Sequence, residues 1–262
     1  MAGGGAGLHG RQNFMIGAIV ALLDGIGHVA VGSTSPIPAT AALLARRRNP
    51  ALRVSLLGSE RHNVFTDGNR ELFDCAAQGR IDAFFLSGGQ IDGGGRINLV
   101  GTGSYPETET RFPGSFGSAF LYPLIPRIIL FREAHSRRTL VERVDFVSAG
   151  PGTTGDRNEG PYALVTGRAV FRFRPETARF ALTVLATGET CRSVADNTGF
   201  QFDDDLVGPD HGKALSSEGD AEIDDVVATE LAEDYPAFAR TRLGGAPVRQ
   251  QARSCSSPSD LP

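Results

Sequence analysis

Lysine is nearly missing from this chain: Lys213 is the one lysine among 26 basic residues, so arginine carries almost all the positive charge. That skew reads as a compositional bias of the source genome, although arginine does suit phosphate contacts. Cysteine is scarce as well. Cys75, Cys191 and Cys255 are far apart and odd in number, which gives no disulfide framework and no metal-ligand spacing, and leads to the expectation of a reducing cytoplasm. Long apolar runs are absent: the longest near the start, Phe14–Leu23, falls well short of the roughly 20 residues that cross a bilayer. Only Arg11 flanks it as a charge and no small-residue cleavage site follows, so it reads as a buried helix. No Walker A pattern and no GxGxxG after a strand occur, so dinucleotides are not indicated. Asp203-Asp204-Asp205 lacks the spacing of a calcium loop, and nothing else sets up a metal site. A net charge of −4 gives no reason to expect nucleic acid or an acidic membrane as partner.

What the chain does have is glycine and short polar residues, concentrated between Asp82 and Phe120. A buried strand, Ala83–Leu86, runs into a turn at Gly88-Gly89. Gln90 and Asp92 follow, then Gly93–Gly95, a second strand Ile97–Val100, and a small-residue turn Gly114-Ser115-Phe116-Gly117-Ser118. Glycines after a strand permit unusual backbone angles and let main chain approach a ligand. Two such turns separated by short polar side chains suggest one site built largely of backbone.

Elsewhere, apolar strands alternate with helices through the first 150 residues. The strands are His28–Gly32, Arg53–Leu57, Ala83–Leu86, Arg127–Phe131 and Val144–Ser148; the helices cover Gln12–Leu23, Ala39–Arg48 and Asn69–Gln78. This predicts an α/β fold, an open and mostly parallel sheet with flanking helices. After Gly150-Pro151 the pattern changes. Tyr162–Thr166 reads as a strand, Ala169–Phe173 and Phe180–Leu185 as a β-hairpin appended toward the C-terminus, and Ile223–Leu231 as a helix. The expected organisation is a disordered segment 1–11, one α/β domain over 12–243, and a disordered tail 244–262.

The run GGQID-GGG-RIN, followed by TRF-GS-GSA, resembles the beta subunits of family I CoA-transferases of the glutaconate CoA-transferase type. The likeness continues through Arg137-Arg138, Val144–Ser148 and Asn197-Thr198-Gly199-Phe200, and so spans the chain from about Gly25 to Leu243. It implies a CoA-transferase/NagB-like fold, a separately encoded alpha subunit completing a heterodimer or heterotetramer, and an acyl-CoA and a carboxylic acid as substrates. CoA would be part of the substrate, with no tightly bound cofactor. It also implies a glutamate nucleophile that passes through an anhydride to a glutamyl-CoA thioester, chemistry that splits one hard acyl exchange into easier steps.

In the family that glutamate stands at the end of the strand matching Arg53–Leu57. Here the expected register, near Leu57 or Gly58, holds none; Glu60 is the nearby carboxylate, and Arg61-His62 replaces the usual following glycine. Glu60 is thus either the nucleophile or an exposed loop carboxylate paired with an arginine. Gly88, Gly89, Gln90 and Asp92 either line the acyl-CoA site or form a tight turn with Asp92 as an internal cap. Gly114, Ser115, Phe116, Gly117 and Ser118 either cradle a carbonyl or phosphate oxygen or make a close-packed helix entry, and Phe116 stands where the family usually has glycine. Thr34-Ser35-Pro36 reads as a helix cap, His62 as a solvated loop histidine, His135 with Arg137-Arg138 as a basic surface or subunit contact, and Cys75 as a core thiol. If the nucleophile is lost, the resemblance also admits the beta subunit of a ring-opening acyl-CoA hydrolase of the kind used in steroid degradation, or a non-catalytic CoA-binding subunit.

Overall fold

Apolar residues on both sides of each early strand require helices on both faces of the sheet, and the computed structural model, which describes residues 4–152, 160–206 and 217–244, has that arrangement. In chain order, α1 (Gly4–Leu22) leads to β1 (His28–Val31), α2 (Pro36–Arg48), β2 (Arg53–Leu56), α3 (Gly68–Ala77) and β3 (Ala83–Leu86). Four short strands follow: β4 (Gln90–Asp92), β5 (Ile97–Asn98), β6 (Gly101–Thr102) and β7 (Thr110–Arg111). Then come α4 (Ser118–Leu124), β8 (Arg127–Arg132), β9 (Leu140–Val141) and β10 (Ala163–Thr166). The hairpin β11 (Ala169–Arg174) and β12 (Arg179–Leu185), α5 (Cys191–Asp196) and β13 (Asp203–Asp204) precede a C-terminal helical layer. That layer is α6 (Ser217–Val226), a π-turn Val227–Leu231, and α7 (Pro236–Arg242).

The main sheet has eight strands in the order β13-β12-β11-β10-β8-β3-β1-β2. From β10 to β2 every pairing is parallel, and β11 and β12 continue the sheet antiparallel. The hairpin therefore belongs to the main sheet, where the sequence pattern set it apart as an appendage: β11 pairs with β10 over Ala163↔Arg172 to Val165↔Val170. Alternation sorts the two cores. Val29, Val31, Phe85, Ile129 and Val165 face α1, α2 and the C-terminal layer. Ala30, Phe84, Leu86, Ile128, Leu130 and Leu164 face the side covered by α3, α4 and α5.

Three local expectations change. The first helix begins at Gly4, so the glycine-rich stretch 4–11 is helical, not disordered; the disorder expected for residues 1–3 and 245–262 lies outside the described residues. Val144–Ser148 is not a strand. Its Ser148 N–H donates to the Ile97 carbonyl and Ala149 bridges Ile97, but Val147 is 40% exposed and Asp145 turns inward to cap main chain, so no two-residue alternation develops. The strand expected over Ile97–Val100 ends at Asn98, whose Oδ1 accepts from the Val100 and Gly101 amides and curls the chain.

Candidate functional site

β1 connects to β2 on one side and then, through α3, to β3 on the other, so the sheet order reverses between β1 and β3. In open parallel sheets the crevice beyond the carboxyl ends of the strands at such a reversal is where ligands bind. Three loops meet that edge here: 32–35 after β1, 57–62 after β2 and 87–89 after β3. The first two touch. A Cβ on Gly58 would stand 2.8 Å from the Ser33 Cβ and 3.0 Å from its Cα, so only glycine lets the β2 loop lie on the β1 loop. Ser35 occupies the N-cap of α2 and is buried, but its side chain makes no capping hydrogen bond, contrary to the expected role.

Glu60 projects from the β2 loop, exposed, over a cavity of about 380 Å³ lined also by Leu57, Gly58, Ser59, Asn63 and Phe65. Among the described residues its carboxylate has no ion-pair or hydrogen-bond partner, so the arginine pairing does not form. The loop itself is tightly held. The Leu56 amide donates to the His62 carbonyl at 3.1 Å, and the His62 amide donates to Ser59 Oγ at 3.0 Å. His62 is buried, not solvated. Burial first and the Arg46 charge second hold its imidazole below the ordinary histidine range.

The turn after β3 is occupied by internal packing. A Cβ on Gly89 would fall into the Phe112 ring, and the Gly89 amide donates to the Asn98 carbonyl at 2.9 Å. Gln90 is buried with both ends of its amide engaged: Nε2 donates to Asp145 Oδ2 at 3.0 Å, and Oε1 accepts from Asn98 Nδ2 at 2.7 Å and the Asp145 amide at 3.0 Å. Asp92, fully buried, accepts from the Gly94 and Arg96 amides and from Arg96 Nε at 2.9 Å, which makes it the internal cap of the β4–β5 turn. Beside it, Tyr122 donates to the Gly95 carbonyl at 2.7 Å; burial first and the Asp92 charge second push its phenol well above the usual range.

The second turn differs. Gly114 has φ +109° and Phe116 has φ +42°, a backbone region that costs a non-glycine residue about 1 kcal/mol. Among the described residues the amides of Ser115, Phe116 and Gly117 donate to no internal acceptor, so they are available to an oxyanion. Phe116 is 66% exposed and rests on Phe73 of α3 with ring centroids 5.9 Å apart; Phe120, 48% exposed, packs on the same ring at 5.4 Å. Gly117 is required because its Cβ would enter the Phe73 ring, and Ser118 Oγ is buried with no hydrogen-bond partner.

The Gly89 and Gly114 turns are therefore neighbours, joined through Phe112 and the Gly114 amide, which donates to the Leu99 carbonyl at 3.0 Å. Glu60 contacts neither. Its strand lies two places from β3 in the sheet, about 10 Å away at ordinary strand spacing.

The family pattern described as Coenzyme A transferase matches residues 4–197. The chain belongs to the coenzyme A transferase family. The beta chain of 3-oxoadipate CoA-transferase from Pseudomonas knackmussii is 31% identical over 130 residues, 47% of this chain and 50% of that one. The chain spans about half the length of the curated relatives it matches. Among solved structures, glutaconate coenzyme A-transferase from Acidaminococcus fermentans superposes with a TM-score of 0.69 at 22% identity, over 87% of this chain and 96% of that one. The decarboxylase AibA/AibB gives 0.69 at 23% identity, over 81% and 92%. At these identities the structural likeness speaks for the CoA-transferase fold.

Two groups in this CoA-transferase-family chain escape a reading of the sequence. His135, expected on a basic surface, is buried and bridges Thr166 Oγ1 at 2.8 Å and Thr198 Oγ1 at 2.9 Å. Glu230 approaches the β2 loop from the π-turn, 168 residues after His62. Only the departure of Arg61-His62 from the family pattern hints at it. Among the described residues no three His, Cys, Asp or Glu side chains cluster as metal ligands, and no helix is long and apolar enough to cross a membrane.

Proposed function

We propose that this chain is the beta-type subunit of a cytoplasmic CoA-transferase that moves CoA between an acyl-CoA and a carboxylic acid, acting with a separately encoded alpha subunit. The observation that carries the reading is Glu60 in a family member, standing free over a small cavity at the carboxyl edge of the parallel strands. Its carboxylate attacks the thioester carbonyl and expels CoA thiolate, leaving a mixed anhydride. The thiolate then attacks the glutamyl carbonyl, which releases the first acid as its carboxylate and leaves a glutamyl-CoA thioester; the acceptor carboxylate reverses both steps. The unspent amides of Ser115–Gly117 suit the oxyanion of either addition once partner and substrate close the gap to Glu60. CoA enters as part of the substrate. Exposed rings at Tyr105, Phe116 and Phe120 suit burial by a partner.

A second reading, as a ring-opening acyl-CoA hydrolase subunit or a supporting subunit, draws on the lack of any group orienting the Glu60 carboxylate among the described residues. Intact-mass spectrometry of the complex after exposure to acetyl-, succinyl- and glutaryl-CoA separates them. A CoA adduct mapping to Glu60 and lost in Glu60→Ala is expected. Turnover without an adduct supports the hydrolase, and CoA binding with neither supports the supporting subunit.

A further inference from the structure

The loop that carries Glu60 is gripped from the far end of the chain. Arg61 Nη1 donates to the Thr229 carbonyl at 3.3 Å. His62 Nε2 lies 3.7 Å from Glu230 Oε2 and is buried without a hydrogen-bond partner. Thr229 and Glu230 are consecutive residues of the π-turn Val227–Leu231, and turns of this kind interrupt helices mostly where function demands it. Glu230 is itself fixed by α2: Arg46 Nη2 pairs with it at 3.0 Å and Arg47 Nη2 at 2.9 Å, while Arg47 also holds Asp225 at 2.7 Å. The basic last turn of α2 thus anchors the π-turn, and the π-turn holds the two residues that follow Glu60. These are the two positions where this chain departs from the family's glycine.

We propose that the π-turn is a positioning device for the nucleophile loop, with the Thr229 carbonyl and the Glu230 carboxylate fixing Arg61 and His62 and through them the place of Glu60. A flexible glycine after the nucleophile lets the loop settle on its own; a bulky Arg-His pair has to be docked, and the C-terminal layer supplies the dock. The groups facing His62 are Glu230 and Asp234 on the acidic side and Arg46 and Arg61 on the basic side. Arg61, Thr229 and Glu230 are positioning residues: none touches a reacting atom.

The proposal rests on Glu60 as nucleophile, so its test separates the two ideas. Hydrogen–deuterium exchange on the full chain, read by mass spectrometry, compares wild type with Arg61→Ala, Glu230→Gln and Glu60→Ala. Amides across 57–62 should exchange about tenfold faster in Glu230→Gln and about threefold faster in Arg61→Ala, with β1 and β3 peptides and Glu60→Ala unchanged. Rates within twofold of wild type in both positioning variants overturn the proposal. Arg61 is exposed, so its variant keeps the test valid if Glu230→Gln unfolds. In the assembled complex, with glutaryl-CoA and acetate as the probe pair, Glu230→Gln should lower kcat about tenfold with KM within twofold; a KM change of that size at constant kcat contradicts it. Turnover retained in Glu60→Ala removes Glu60 as nucleophile, and exchange then judges the docking alone.

Discussion

The Cβ that Gly89 lacks would occupy the space of the Phe112 ring, and Gly94, five positions on, meets nothing closer than 3.4 Å. Gly89→Ala should therefore destabilise the fold by about 1–3 kcal/mol through overpacking, while Gly94→Ala should stay within about 0.5 kcal/mol. Urea unfolding of the two variants checks this, and equal midpoints would show that the Phe112 contact does not govern the turn. The cluster Gly88-Gly89 was legible in the sequence as a turn, but its cause was not. A ring 23 residues away in the chain takes up the space, and no local pattern encodes such an approach. Gln90 and Asp92 tell the same story. As residue types they looked like ligand contacts, yet Asn98, Asp145 and the Arg96 amide use up their hydrogen-bonding capacity. The exposed, unpaired state of Glu60 could not be read from its neighbours either, because Arg61 reaches away to Thr229.

Among the elements, β10 and the end of α5 are joined by one imidazole. Burial first and the Arg168 charge second push His135 down from 6.5 to about 4. Because its folded value is depressed, the neutral ring favours the native state. That contribution is fully present above pH 6.5 and is lost as pH falls toward about 4. The whole effect is on the order of 3 kcal/mol. Denaturant titrations at pH 7 and pH 4 should show the stability advantage of wild type over His135→Gln shrinking by that order; a gap independent of pH would exclude the imidazole as the cause. Element types were legible wherever periodicity was strong, as in α2, α3 and β11–β12. They failed where a side chain redirected the backbone: Asn98 cut a strand short, and Asp145 kept Val144–Ser148 irregular. The π-turn carries apolar spacing indistinguishable from that of an ordinary helix, since Val227 and Leu231 stay buried through it.

For the molecule as a whole, strand-helix alternation in the first 150 residues already implied the parallel half of the sheet, because buried apolar strands on both faces leave few other solutions. The join between that half and the hairpin was not legible, since edge-to-edge pairing of β10 with β11 depends on register that neither strand shows alone.

The same join imposes an order in time. β11 and β12 are linked by the short turn Pro175–Ala178 and can zip locally, whereas β1, β2, β3 and β8 each wait for a helical crossover before they meet. Strand association should therefore begin at the hairpin near the C-terminal end and spread through β10 toward β1 and β2. Pulsed hydrogen exchange during refolding should find amides of residues 169–185 protected before those of β1–β3; the reverse sequence would contradict it. The edge that bears Glu60 is then among the last parts of the chain to form, and a ribosome that has not yet delivered the hairpin would leave that edge unsupported.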